Sequence, residues 1–288
     1  MPHPVVHDVT PRVQQALDEL RGLTAATPAI AAHAALLADI LPIVGTADGT
    51  AQVVSLSAEH AQSKLRAGQP LLRDEPIRFD QPAFVQRWCV ISQAVGRHAD
   101  HAEGTRLAGA LQPTGADPQQ LVLHVLGAQI DVIRSEAASR GLNPQTAEIV
   151  LRLALFGVFA GLNEATQAWR EGIGWPHGHC PVCGSWPLLG EFRGLQQTRF
   201  LRCGLCAAEW EFPRLQCPYC SLRDHRQLGF FSVGGQEARY RCATCDGCQG
   251  YIKMVQTLDR LSGPQLLVYD VATLPLDLAA ANCHYRRP

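Results

Sequence analysis

The sequence predicts an α+β protein: an α-helical amino-terminal domain over residues 1–175, then two small β-rich modules over 176–212 and 213–288. Three observations predict it. Of 11 cysteines, all but Cys89 lie beyond residue 179. Up to residue 172 Ala and Leu abound and apolar residues recur at helical spacing; beyond it glycine, aromatic residues and short alternating segments take over. Charge divides at the same place, with 13 Lys/Arg against 17 Asp/Glu in 1–175 and 12 against 9 in 176–288. At 288 residues, 47% apolar and 18% charged, the chain can bury a real core, which excludes a disordered segment or a disulfide-stapled miniprotein. A net charge of −1 gives no global basic field.

Cap signals place the helices. Thr10-Pro11 opens one to about residue 20, and Thr27-Pro28 opens another to about residue 41, ended by Pro42. Ser57 caps a short helix to about residue 67. Residues 80–99 carry Phe84, Trp88, Ile91 and Val95 on one helical face. Asp117-Pro118 starts a helix to about residue 139, and Asn143-Pro144 starts the longest, ending near Gly172. Within it Gly157 and Gly161 share a face suited to close helix packing. Trp88, Phe156, Phe159 and Cys89 read as core. The loop 69–82, rich in proline and charge, is expected to be mobile, and 175–179 reads as a linker containing His177 and His179. Strands are expected at 188–193 and 198–202 around Gly194, and at 228–233 and 237–241 around Gly234-Gly235. From residue 266 a strand and then a short helix are expected, with Cys283 incidental and Arg286 and Arg287 a loose tail.

The first residues show neither the basic nor the apolar segment of a secretory signal. The longest apolar run, 153–162, falls short of the ~20 residues of a membrane span. A cytoplasmic place with no membrane insertion is therefore expected. There, paired cysteines serve as metal ligands or redox groups more often than as disulfides.

The cysteines form Cys180-x2-Cys183, Cys203-x2-Cys206, Cys217-x2-Cys220 and a cluster of Cys242, Cys245 and Cys248. A CxxC turn presents two thiolates on one side of a tight knuckle. Two knuckles facing each other make a tetrahedral S4 site with metal–sulfur distances of ~2.3 Å. Each expected hairpin brings its flanking knuckles together. Site one is then Cys180, Cys183, Cys203 and Cys206; site two is Cys217, Cys220 and two of the three near 245. Spacing allows Cys242/Cys245 or Cys245/Cys248, and a glycine soon after the second ligand slightly favours the latter. Four thiolates suit zinc or iron, and the closed site argues against metal-catalysed hydrolysis. The sequence lacks a ferredoxin-type cysteine run, a G-x-S-x-G elbow, a phosphate loop and a dinucleotide fingerprint in context. Arg193, Arg199, Arg202, Arg214, Arg239 and Arg241 alternate along the expected strands, which reads first as a solvated sheet face and second as a surface for an anionic partner.

The stretches CPVCGSWP, RFLRCGLCAAEWEFPRLQCPYC and CDGCQGYIK, in this order, closely resemble the FdhE family of formate dehydrogenase accessory proteins. The tail, with Asp270, Ala272, Leu274, Leu276, Asp277, Tyr285 and Arg286, resembles it too. The resemblance covers 180–287; the amino-terminal half agrees only in length and helical character. It implies a last knuckle three residues before Tyr251-Ile252-Lys253, hence Cys245 and Cys248, with Cys242 additional. The sequence departs from the pattern at Ala208, where Thr is more usual, and at Gln249, where Gly is. The resemblance further implies a cytoplasmic, non-catalytic maturation factor. Such a factor would bind the catalytic subunit of formate dehydrogenase before export. It would carry iron in two rubredoxin-like (zinc-ribbon-like) four-cysteine sites, with zinc the alternative. The partner surface is expected between the metal modules and the helical domain, at the Arg-rich strands and Trp210. The competing reading is a zinc-ribbon module that binds nucleic acid or protein. Two S4 centres with a divalent metal bring about −4, which cancels the basic balance of the second half and weakens phosphate binding.

Overall fold

Helix starts follow their caps. In the computed structural model, which describes residues 9–110, 117–234 and 239–287, the first half folds as α1 (Pro11–Ala26), α2 (Ala31–Val44), α3 (Ala58–Arg66), α4 (Gln81–His98), α5 (His101–Gly109), α6 (Pro118–Leu126), α7 (Ile130–Ser139) and α8 (Pro144–Ala165). Thr10, Ser57, Asp80, Asp117 and Asn143 each accept a first-turn N–H, satisfying a donor that no carbonyl can reach. Thr27 does not cap; residues Pro28–Ile30 form a 3-10 turn before α2. Pro42 does not end α2 either, because it removes only one hydrogen bond near the helix end, and Gly45 N–H still closes on Leu41. The single helix expected over 117–139 is two, broken where Ala128 takes φ 54°. The last helix stops at Ala165, where the buried Thr166 hydroxyl donates back to Leu162 O.

Trp88, Phe156 and Phe159 are buried, as expected, while Cys89 is half-buried. Of the nearest neighbours of Gly157 and Gly161 only the Arg87 side chain, against Gly157, belongs to another helix, α4. Both glycines meet the turn after α2: Asp48 N–H donates to Gly157 O at 2.8 Å, and a methyl at Gly161 would overlap Asp48 O. α8 itself is long and apolar enough to cross a membrane, longer than the 153–162 run suggests, but 61% of its apolar window is buried inside the protein.

The loop 69–82 is anchored rather than loose. Leu71 and Leu72 are fully buried, and their N–H groups donate to Pro181 O and Val182 O, both at 2.9 Å. Lys64 Nζ holds Arg73 O at 2.6 Å and Glu75 at 2.7 Å, and β1 (Gln52–Val53) pairs with β2 (Ile77–Arg78).

The second half is one sheet. It comprises β3 (Pro187–Arg193), β4 (Thr198–Cys203), β5 (Glu209–Glu211), β6 (Leu228–Phe231), β7 (Tyr240–Cys245) and β8 (Gly250–Thr257), ordered β5-β4-β3-β8-β7-β6. The β3–β4 hairpin turns at Gly194 (φ 65°), as expected. Of the second expected turn, Gly235 and Glu237 lie outside the described residues. Two strands of this sheet are unanticipated, β5 and β8; β8 runs antiparallel to β7 and parallel to β3, joining both hairpins. The tail forms α9 (Gly263–Ala272) and α10 (Leu274–Asn282), not a strand and a helix, because Ser262 and Gln265 build a reciprocal capping box ahead of the apolar run. Both helices pack against the sheet.

Of the six arginines Arg214 and Arg239 are exposed and Arg241 is half-buried, but Arg193, Arg199 and Arg202 do not lie on a solvated face. Arg202 is wholly buried, paired with Glu191, and its NH2 donates to Leu261 O at 2.7 Å. Arg193 pairs with Glu209 at 2.7 Å. The tail is not loose: Arg287 reaches Asp277 at 2.8 Å, and Tyr251 N–H donates to Arg286 O.

Two glycine substitutions separate propensity from packing. Gly161→Ala is expected to destabilise by ~1–3 kcal/mol through overpacking. Gly22→Ala, in α1 with no neighbour within 4 Å, is expected to stabilise by ~0.5–1 kcal/mol. Urea unfolding midpoints of both variants check this.

Candidate metal centres

The knuckles share one backbone design. The residue after each second cysteine is left-handed: Gly184 (φ 80°), Ala207 (56°), Ser221 (62°) and Gln249 (56°). In the first three knuckles the first cysteine's N–H donates to the carbonyl five residues on, and its own carbonyl accepts from the N–H four residues on. In the fourth, Cys245 faces Gly250 in the β7–β8 ladder. Such turns aim both sulfurs to one side. Val182 and Leu205 N–H groups donate to Cys180 and Cys203 sulfur at 3.4 Å.

This geometry chooses among the last three cysteines. The left-handed residue follows Cys248, where glycine would sit without strain. Cys242 and Cys245 are three apart in a strand, so their side chains leave opposite faces. Cys242 is buried opposite Lys253, and burial pushes its thiol up to about 12.

A tetrahedral S4 site with metal–sulfur distances of ~2.3 Å has sulfur–sulfur edges of roughly 3.8 Å. Cys180–Cys206 and Cys183–Cys203 lie 3.5 and 3.4 Å apart, and Cys217–Cys248 and Cys220–Cys245 both 3.7 Å. Within each set of four the sulfurs lie within 4.8 Å of one another. All are free thiols, well beyond the ~2.05 Å of a disulfide. Four buried sulfurs cannot all ionise unaided. Burial drives the Cys180 and Cys206 thiols far up, while at Cys183 hydrogen bonds from the other three overcome burial and drive it far down. One cation resolves that conflict. Each group of four cysteines can hold a metal ion.

The sites differ in exposure. All four cysteines of the first are buried; in the second Cys248 is half-buried and Cys220 exposed. The expected linker binds the two sites together. Trp175 Nε1 donates to His179 O at 2.7 Å, and Trp210 Nε1 to His177 O at 3.0 Å. A methyl at Gly178 would collide with Pro218 O in the second site's first knuckle. Trp186 bridges the His179 and Tyr219 rings, at 6.2 and 5.5 Å. His179 is therefore half-buried among these rings with the exposed His177 stacked on it, while Trp210 is buried, closed to a partner. Sequence reasoning missed Leu71, Leu72 and Pro218, whose contacts with the first site are non-local.

Residues 179–214 match the family described as FdhE, central domain. A protein FdhE homolog of Stutzerimonas stutzeri is 36% identical over 111 residues, 38% of this chain and 35% of that protein. One from Pseudomonas aeruginosa is 38% identical over 115 residues, 38% and 37% of the two chains. Over its metal-binding half the chain is similar to proteins of the FdhE family. Protein FdhE of Escherichia coli is 32% identical over 114 residues, 38% of this chain and 35% of that one. The matched stretch spans about a third of the length of these FdhE relatives. The crystal structure of the FdhE protein from Pseudomonas aeruginosa shares the fold over 97% of this chain and 95% of its own, with a TM-score of 0.65 and 22% identity.

Each site is complete in itself, so Cys180→Ala and Cys217→Ala should each cost one bound metal per chain and leave the other. Cys242→Ser should cost none. Metal analysis of the purified variants checks all three. A chelator should strip the second, exposed site before the first, followed as two kinetic phases of metal release.

Proposed function

We propose that this protein is a cytoplasmic, non-catalytic accessory factor in the maturation of a formate dehydrogenase. It binds the catalytic subunit of that enzyme and holds iron at Cys180, Cys183, Cys203 and Cys206 and at Cys217, Cys220, Cys245 and Cys248. On this reading the units are a helical domain, 1–175, and metal modules at 176–212 and 213–288, the modules sharing a sheet. The observation that carries the reading is the match to the FdhE central-domain family over residues 179–214, which hold the first two knuckles. The closed S4 sets support binding over catalysis, since they leave no coordination position for a substrate.

Iron, when bound in such a site, supplies a one-electron couple; zinc supplies a cross-link only. The chain's own residues suit an anionic centre. Burial lowers the pKa of the Arg170 and Arg202 guanidiniums, and nearby Cys206 opposes that fall, so thiolate and guanidinium stabilise each other. Nucleic-acid binding finds less support. Arg193 and Arg202 are paired with carboxylates and Arg199 is buried against carbonyls, which takes three of the six arginines out of the basic face that reading needs.

Formate-dependent dye reduction, measured in a host lacking this gene and any second copy, tests the reading. Activity should be lost while the catalytic subunit is still made, and should return with the gene. Unchanged activity would overturn the accessory role.

A further inference from the structure

One face of the six-stranded sheet is packed by α9 and α10. The other holds a cleft of about 250 Å³ beside the second four-cysteine site. Strand register builds its floor. Phe230 lies opposite Ala243, and Ala243 opposite Ile252, across β6, β7 and β8; Met254, two residues further, faces the same side. Ile252 and Met254 form an apolar base, while at the rim Phe230 and Leu215 stand 69% and 66% exposed. Two large exposed apolar side chains flanking one apolar floor mark a contact surface.

Charge identifies what the surface receives. Arg199 lines the cleft at 4% exposure. Its NH1 donates to the carbonyls of Pro213 at 3.1 Å and Gln216 at 3.0 Å, but its Nε has no acceptor. Among the described residues this buried guanidinium has no carboxylate partner, so its uncompensated charge beneath the cleft favours a carboxylate there. Arg214, stacked 5.2 Å over the Phe192 ring, adds positive charge at the rim.

We propose that this cleft docks a peptide segment of the partner in which a bulky apolar side chain stands next to a carboxylate. The side chain sits on Ile252 and Met254 and the carboxylate on Arg199. The partner's identity rests on the accessory-factor reading; the chemistry of the segment rests on the cleft. An aliphatic and thioether floor suits a peptide side chain, whereas a nucleic-acid strand needs successive stacking faces and a track of cations.

The full metal-loaded chain tests this, with the rim variants Leu215→Asp and Phe230→Asp, whose exposed side chains leave the core intact. Binding is measured to purified formate dehydrogenase catalytic subunit, and to a fluorescein-labelled peptide carrying Leu and Phe between aspartates, with its lysine counterpart as control. Wild type should bind the subunit and the acidic peptide but not the lysine peptide. Each variant should weaken both interactions about tenfold or more, with metal content and melting temperature unchanged. Equal subunit binding by wild type and variants would overturn the cleft and leave the accessory reading standing. Phe230-dependent peptide binding without subunit binding would sustain the cleft and sink the accessory reading. Loss of neither, or RNA binding that Phe230→Asp abolishes in place of peptide binding, would overturn the proposal.

Discussion

Four sulfurs held against one another, twice in one chain and in the first site wholly away from water, are the constraint on which the second half of this molecule depends. Buried thiols repel a second and third ionisation, so the arrangement is stable only around a cation. The backbone accepts strain to create it. Ala207, Ser221 and Gln249 occupy left-handed positions that cost non-glycine residues ~1–2 kcal/mol each. Those turns point sulfur pairs at each other, and the hairpins between them set the distance. Metal binding and folding of this region are then one event.

The second half meets the helical half in two places: at the first site, and along α9, which packs on α1 and α2 and whose Gln265 and Tyr269 donate to Glu19. The paired N–H groups of Leu71 and Leu72 extend the first knuckle's backbone into the α3–α4 loop. Trp175, His177, Gly178 and Trp210 fill the space between knuckle and helices, and Gly178 brings the second site against the first. The first site is thus a sealed junction of helices and sheet. The second sits at the margin, with Cys220 open to solvent and a cleft beside it. In the accessory-factor reading, the sealed site serves architecture and the open one faces the partner.

What was legible in the sequence was local. Cap residues such as Asp80 and Asn143 marked helix starts because the bond they make spans three residues. Cysteine spacing and Gly194 marked the first hairpin for the same reason. The choice of Cys248 over Cys242 was half legible: it needed the strand's two-residue period, which spacing alone does not reveal. What stayed hidden was long-range. The β3–β8 pairing joins residues about 64 positions apart, as Gly190 and Met254 show, and no pattern in either segment names the other. Arg202 looked solvent-facing because its partner Glu191 lies across the hairpin. The segment from residue 266 looked like a strand until Ser262 and Gln265 closed their capping box.

X-ray absorption spectroscopy on the full chain, purified without oxygen, tests the central claim most directly. The account predicts two iron ions per chain, each with four sulfur neighbours at ~2.3 Å. Nitrogen or oxygen in the coordination shell, or a metal-free chain with the eight cysteines in disulfides, would contradict it.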